Sequence, residues 1–311
     1  MKPVVFIDGR EGTTGLQIYD RLAARQDLSL LLIDEDKRKD PAARRECLNA
    51  ADLVFLCLPD GAAKEAVDMI ETPNTRVIDA STAHRTQPDW VYGLPEVGGR
   101  RELVRAAKRV ANPGCHATGF LTAAAPLVEL GILPKEYPVT CFSLTGYSGG
   151  GKKMIAEYEG EEKGASLQSP RVYALSLQHK HVPEMTLVSG LAHPPAFSPV
   201  VDDYYKGMAT TIQLHNRSLT GGPAPEEIRE ALAEYYQGEK LISVLPFGYE
   251  GPMIAGNALA GKDTLQLIVN GSHGMTLVTA LFDNLGKGAS GAAVQNMNLM
   301  LNFEEVSGLS L

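Results

Sequence analysis

The chain has 311 residues, 44% apolar and 21% charged, which is long for a single core and points to two domains of a globular protein. A formal net charge of −8 leaves no basic surplus for releasing counterions from nucleic acid, although local basic clusters can still hold a small anion. No apolar run is long enough to span a membrane, and the opening MKPVVFIDG reads as a core strand rather than a signal peptide. Cys47, Cys57, Cys115 and Cys141 show no C-x-x-C spacing, so reduced thiols in a cytoplasmic protein are expected.

The first 115 residues alternate between strand and helix patterns. PVVFIDG (3–9) reads as a buried strand, and TTGLQIYDRLAAR (13–25) carries Leu16, Tyr19, Leu22 and Ala23 at helical spacing. LSLLLID (28–34) is a second strand, followed by a short helix at 41–50 with Pro41 in its first turn. A strand at 52–59, a helix at 61–71 and strands at 76–81 and 109–114 continue the pattern. Near-continuous apolar strands joined by helices predict a Rossmann-type, doubly wound parallel sheet with both faces covered.

Beyond Cys115 the texture changes. A helix is predicted over 116–132, bent at Pro126. Strands follow at 138–149, 171–181, 206–215 and 264–282, with an amphipathic helix at 224–238. Strands in succession with few helices predict an α+β domain whose sheet is mainly antiparallel. The final segment, 283–302, reads as a glycine-rich turn and a helix that returns to the first domain. The expected division is 1–114 with 284–311 for one domain, and 115–283 for the other.

The first strand runs into GREGTTG, with Gly9, Gly12 and Gly15 spaced G-x-x-G-x-x-G before a helix. That context suits a dinucleotide: a tight turn, a close approach of backbone to pyrophosphate, and free N–H groups at a helix start. Glu11 is expected to point away from the phosphates. Asp34 ends the second strand where an acid binds a ribose 2′-hydroxyl, yet Lys37 and Arg38 follow it and suit a 2′-phosphate. Spacing leaves NAD and NADP both open.

Cys115 sits in NPGCHATG, after a turn-forming Pro-Gly pair and at the start of a helix. A helix N-terminus favours a thiolate, and the same N–H groups, with Asn112, suit an oxyanion. Its place after a strand's carboxyl end predicts a thiol at the mouth of the nucleotide crevice. Cys57 and Cys141, inside apolar strands, read as inert. HKHVPEM offers His179 and His181 on one face of a strand as proton-transfer partners, with Glu184 to orient an imidazole. H-x-H also suits a metal, but no third ligand has a convincing spacing. His84, His116 and His273 are weaker candidates; Arg85, Lys152, Lys153 and Arg171 are candidate anion handles.

These segments together resemble the N-acetyl-γ-glutamyl-phosphate reductase family, in its shorter form and within the wider group that includes aspartate-semialdehyde dehydrogenase. The resemblance rests on GREGTTG, DASTAHR (79–85), YGLPE (92–96), NPGCHATG, HKHVPEM and DNLGKGASGAAVQNMN (283–298). It implies that Cys115 is a nucleophile forming a thioester from an acyl phosphate, that one of His179 and His181 is the acid/base, and that NADPH supplies hydride. It further implies cofactor contacts from Thr13, Thr14, Pro59, Ser81 and Asn284, and NADP as cofactor, which favours Lys37 or Arg38 over Asp34. Substrate contacts are implied at Arg85, Asn112, Ser148, Gly149 and Glu184, and a homodimer or homotetramer is implied. No metal, nucleic acid or membrane is expected as a partner. The competing readings are an acyl-phosphate reductase acting on aspartyl phosphate or on carrier-linked glutamate or aminoadipate, and a redox-sensing NADP-binding protein without turnover.

Overall fold

The computed structural model describes residues 2–248, 253–272 and 274–311; His273, one of the weaker candidates, lies outside the described residues. The chain forms two compact units. One comprises the N-terminal stretch through Pro95, Gly99–Pro113 and Ala289–Leu309; the other comprises Glu96–Gly98, Gly114–Gly288 and Ser310–Leu311.

The first unit holds strands β1 (Val4–Asp8), β2 (Ser29–Leu31), β3 (Leu53–Leu56), β4 (Arg76–Asp79), β5 (Val91–Tyr92) and β6 (Arg109–Ala111). They form one all-parallel sheet in the order β2-β1-β3-β4-β6-β5. Helices α1 (Thr13–Ala23), α2 (Pro41–Ala50), α3 (Asp60–Asp68) and α4 (Arg100–Ala106) connect the strands, and a last helix, α9 (Gly291–Met300), joins the same unit. Strand alternation divides the core. Val5, Ile7, Phe55 and Ile78 pack with Ile18, Leu22, Val104, Val294 and Met297. Phe6, Val54, Leu56 and Val77 face the other way, toward Leu48, Ala66 and Trp90. Both faces are therefore apolar, which is why these strands read as continuous hydrophobic runs. The chain leaves β1 for β2 on one side and then crosses to β3 on the other, so the sheet's switch point opens beside the carboxyl end of β1. Two elements, β5 and α4, lack the apolar periodicity that would have announced them, because both are very short.

The second unit starts with α5 (Cys115–Glu129) and continues through β7 (Thr140–Gly146), α6 (Gly151–Glu159), β8 (Arg171–Val172), α7 (Val182–Ser189) and β9 (Ala196–Asp202). Then come β10 (Met208–His215), α8 (Pro225–Tyr235), β11 (Ile242–Val244), β12 (Leu265–Ser272) and β13 (Met275–Phe282). Its seven-stranded sheet runs β11-β12-β13-β10-β7-β9-β8. Only β11 with β12 and β7 with β9 pair in parallel, so the sheet is mixed but mainly antiparallel. The strand expected over 264–282 is two strands, β12 and β13, paired antiparallel. Residues 116–128 of α5 are buried on every side, as befits a central helix. Gly119 lets it approach the sheet: a Cβ there would lie 2.6 Å from Thr210. The opposite face of the sheet exposes Phe142, Met275 and Leu277.

One expectation fails outright. The strand expected over 171–181 ends at Val172. Ala174 and Leu177 adopt positive φ of 53° and 59°, and Leu175 and Leu177 are exposed. His181 is the N-cap of α7, with Pro183 in its first turn. That proline and Glu184 form a helix-start signal, and it outweighs the β-like alternation before it.

Candidate active site

The glycine loop, in the first unit, is a backbone construction. Gly9 has φ +85°, and a Cβ on it would lie 2.3 Å from the Cys57 carbonyl, so the ends of β1 and β3 can meet only at a glycine. Gly15 packs on the Gly9 carbonyl in the same way. The Gly12 N–H bonds the Gly9 carbonyl at 3.0 Å, and Gly12 caps α1 without any side-chain acceptor. The first turn of α1, with Thr13 and Thr14, therefore presents a helix N-terminus suited to phosphate oxygens.

Beside this loop lies a cavity of about 500 Å³ walled by Leu30–Ile33 and Leu58, with Glu11, Arg38, Lys39 and Arg44 also lining it. Apolar walls suit an adenosine, and Arg38, Lys39 and Arg44 at the rim, beside Asp8, Glu11 and Glu35, are the cations available to a phosphate on it. Glu11 lines the cavity, pairing with Arg10 at 3.4 Å and lying 3.9 Å from Arg38. Arg38 also lies 3.6 Å from Glu35. Lys37 is held at 3.0 Å by Asp34, whose carboxylate raises its pKa, and it does not line the cavity. Sequence reasoning missed Arg44, which binds the buried Asp8 at 2.7 Å and so ties α2 to the end of β1.

The carboxyl end of β4 forms a second cluster in this unit. Asp79 accepts from the Ser81 hydroxyl at 2.7 Å and lies 2.6 Å from His84 Nδ1; the His84 ring stacks on Trp90 at 4.1 Å. Pro59 caps α3 nearby in sequence, and Thr82 N–H bonds Asp60 at 3.0 Å. Arg85 is buried and donates to the carbonyls of Asn112 at 2.9 Å and Ala80 at 3.1 Å. Asn112 donates to the Ala289 carbonyl at 3.0 Å and accepts from Asn296 at 3.1 Å. These two residues thus brace the ends of β4 and β6.

In the second unit, Cys115 is the first residue of α5, after Gly114, which caps the helix without a side-chain acceptor. The Cys115 thiol is half-buried, as is that of Cys57, whereas Cys141 is buried. Desolvation, with the Asp79 and Asp8 charges, pushes Cys57 up to about 12, and burial pushes Cys141 up as well. All four cysteines remain thiols. Gly288, in a π-helical turn over Gly286–Ser290, lies so close that a Cβ on it would sit 3.0 Å from that of Cys115. In the same turn, buried Lys287 donates to Glu96 at 2.6 Å, a pair that spacing alone did not suggest.

Three imidazoles gather around the start of α5. His116 lies 5.4 Å from His179 and 5.7 Å from His181, ring centre to ring centre, and the latter two stand edge to face at 4.7 Å. Phe197 closes one side, 5.2 Å from both His116 and His179. The His181 N–H donates to His179 Nδ1 at 3.1 Å. Burial first, then the neighbouring charges of His179 and Lys180, lower the His116 pKa to about 3, so this ring is neutral. Buried Glu184 accepts the Gly114 N–H at 3.2 Å, placing a carboxylate against the helix start. Asn284 accepts from Gly207 N–H at 2.8 Å and donates to the buried Ser148 hydroxyl at 3.0 Å, with Gly149 alongside. Lys152 and Lys153 are exposed on α6, and Arg171 donates to the Tyr158 hydroxyl at 3.0 Å. Among the described residues no group of three or more His, Cys, Asp or Glu is placed to hold a metal ion.

Residues 5–106 match the family model described as the semialdehyde dehydrogenase NAD binding domain, and residues 115–284 match the semialdehyde dehydrogenase dimerisation domain. The chain is 47% identical to N-acetyl-gamma-glutamyl-phosphate reductase 2 of Nostoc sp., covering 99% of each chain. It is 48% identical to the N-acetyl-gamma-glutamyl-phosphate reductase of Burkholderia ambifaria, covering 96% of each. The chain belongs to the N-acetyl-γ-glutamyl-phosphate reductase family. It is an oxidoreductase of the semialdehyde dehydrogenase type with a domain for a nicotinamide cofactor. Among solved structures it is similar to aspartate semialdehyde dehydrogenase II from Vibrio cholerae, with a TM-score of 0.72 at 17% identity over 97% of this chain and 99% of that one. A probable aspartate-semialdehyde dehydrogenase from Pseudomonas aeruginosa gives 0.73 at 14%, with the same coverage. These two likenesses establish the fold, and the reductases carry the family assignment.

Proposed function

We propose that this chain reduces N-acetyl-γ-glutamyl phosphate to N-acetylglutamate 5-semialdehyde, releasing phosphate, with NADPH as cofactor, in arginine biosynthesis. The observation that carries the reading is Cys115 at an uncapped helix start beside a cluster of histidines, in a chain nearly half identical to reductases of that name. The thiolate sulfur attacks the γ-carbonyl carbon, and the C–O bond to phosphate breaks with its electron pair leaving on phosphate, which makes a thioester. When bound, the reduced nicotinamide supplies the hydride. The hemithioacetal on Cys115 then collapses, breaking the C–S bond and returning the thiolate.

His181 is the acid/base in this reading. His179 Nδ1 accepts a backbone hydrogen bond, so it has no room for a second proton while that bond holds. His116 is neutral and fully engaged. His181 takes the thiol proton as sulfur attacks, shares it with the hemithioacetal oxygen and recovers it as the C–S bond breaks. The basic rim of Arg38 and Lys39 supports NADP over NAD. The exposed apolar sheet face of Phe142, Met275 and Leu277 supports a homodimer or homotetramer, and the thiols support a cytoplasmic setting. The deciding experiment assays phosphate-dependent oxidation of N-acetylglutamate 5-semialdehyde against aspartate semialdehyde and carrier-linked semialdehydes. The acetylated substrate should have the highest kcat/KM; a clear preference for either of the others removes this substrate assignment.

A further inference from the structure

The hydrogen atoms of one buried chain can be assigned by counting. Thr210 and Ser143 are register partners on β10 and β7, both fully buried, and their hydroxyls lie 2.7 Å apart. Ser143 Oγ is also 2.7 Å from His116 Nδ1, and His116 Nε2 is 2.6 Å from the Tyr173 hydroxyl. Among the described residues the Thr210 hydroxyl has one partner, Ser143, so its hydrogen points there; any other direction strands a buried donor at a cost of about 1–3 kcal/mol. Ser143 then accepts from Thr210 and donates to His116 Nδ1. The neutral ring must carry its proton on Nε2 and donate it to the Tyr173 oxygen. The Tyr173 oxygen thus accepts from His116, and its own hydrogen remains available to something else.

Tyr173 is held in place to use it. Its N–H bonds the Pro199 carbonyl at 3.1 Å, its ring contacts His179 at 5.8 Å, and the turn that follows carries the two positive-φ residues Ala174 and Leu177. Burial, and then the charge that Cys115 carries when ionised, push its phenol above the ordinary range, so it stays protonated. At the helix start, the Gly114 N–H is already committed to Glu184.

We propose that Tyr173 is a further catalytic residue, whose hydroxyl donates a hydrogen bond to the substrate oxygen that becomes negative when Cys115 adds to the carbonyl and again when hydride adds to the thioester. No proton is transferred from it; the Thr210–Ser143–His116 relay holds its oxygen as an acceptor and so turns its hydrogen toward the substrate. The assignment rests on the thioester reading above.

Two measurements test it. In wild-type enzyme with ¹⁵N-labelled histidine, the ring nitrogen shifts of His116, assigned by their loss in His116→Gln, should show the proton on Nε2; a proton on Nδ1 overturns the relay, and this readout needs neither substrate nor variant activity. Tyr173→Phe should lower kcat about 10²-fold with KM little changed. Ser143→Ala should lower kcat about fivefold in the wild type and have no further effect in Tyr173→Phe, because both act through one hydroxyl. An unchanged kcat in Tyr173→Phe, or additive losses in the double variant, overturns the proposal. A wild type inactive on N-acetylglutamate 5-semialdehyde would instead remove the substrate reading and leave the tautomer result standing.

Discussion

The glycine loop of the first unit and the thiol cluster of the second are built by different means. At the loop, the geometry resides in the backbone: Gly9 permits the close approach of two strand ends, and α1 begins without a side-chain cap. Such a site needs only a few residues in one short stretch, since the peptide groups do the binding. At the thiol, the cluster is made of side chains drawn from α5, β7, β10, the turn after β8 and the start of α7. A backbone site tolerates varied side chains but no Cβ at its glycine; a side-chain site is sensitive to exchange of its groups, each to a different degree.

That contrast can be broken or sharpened by substitution. The largest effect is expected at the nucleophile: Cys115→Ser should lower phosphate-dependent semialdehyde oxidation about 10⁴-fold or more while NADPH binding, followed by fluorescence titration, is retained. Substantial turnover in that variant would end the thioester mechanism. Next, His181→Asn should cost about 10²–10⁴ in kcat and remove one limb of the pH–rate profile, whereas His179→Asn should cost less and leave the profile's shape intact. The reverse ranking would move the acid/base role to His179.

On the backbone side, Arg38→Ala should weaken NADPH by about tenfold or more and NADH little, with Lys37→Ala nearly silent because Asp34 already holds that ammonium. Equal losses for both cofactors would show that this rim does not read a 2′-phosphate. The smallest effect concerns the relay's neutral imidazole. The folded-state pKa of His116 is lowered to about 3, below that of an unfolded histidine, so the unfolded chain binds the extra proton first. Its contribution to stability is complete above about pH 6.5 and is lost as pH falls from there through about 3, by on the order of 1 kcal/mol per pH unit. Denaturant titrations of wild type and His116→Gln across that window should show a shallower slope for the variant; identical slopes would mean that His116 is charged in the fold.

Much of the site was legible because its signals are local. Gly9, Gly12 and Gly15 between a strand and a helix, and Cys115 after Pro113 and Gly114, each show their geometry within a few residues. The H-x-H motif was misread as structure. Alternation from Tyr173 to His181 imitates a strand, while the Pro183 and Glu184 helix-start signal that follows decides the matter. Tyr173 itself carried no signal in the sequence. Arg44, Lys287 and Glu96 were hidden for a related reason: Arg44 meets Asp8 from 36 residues away, and Lys287 meets Glu96 from 191.

The amino-acid order by itself determined the family, the parallel sheet with its glycine turn, and the cysteine at a helix start, since each depends on spacing along one segment. Only the tertiary structure brought His116, His179 and His181 together, aimed Glu184 at the Gly114 N–H, and joined Thr210, Ser143 and His116 in one hydrogen-bonded chain. Those arrangements depend on which buried donors and acceptors share a neighbourhood, and register between distant strands, not distance along the chain, brings them together.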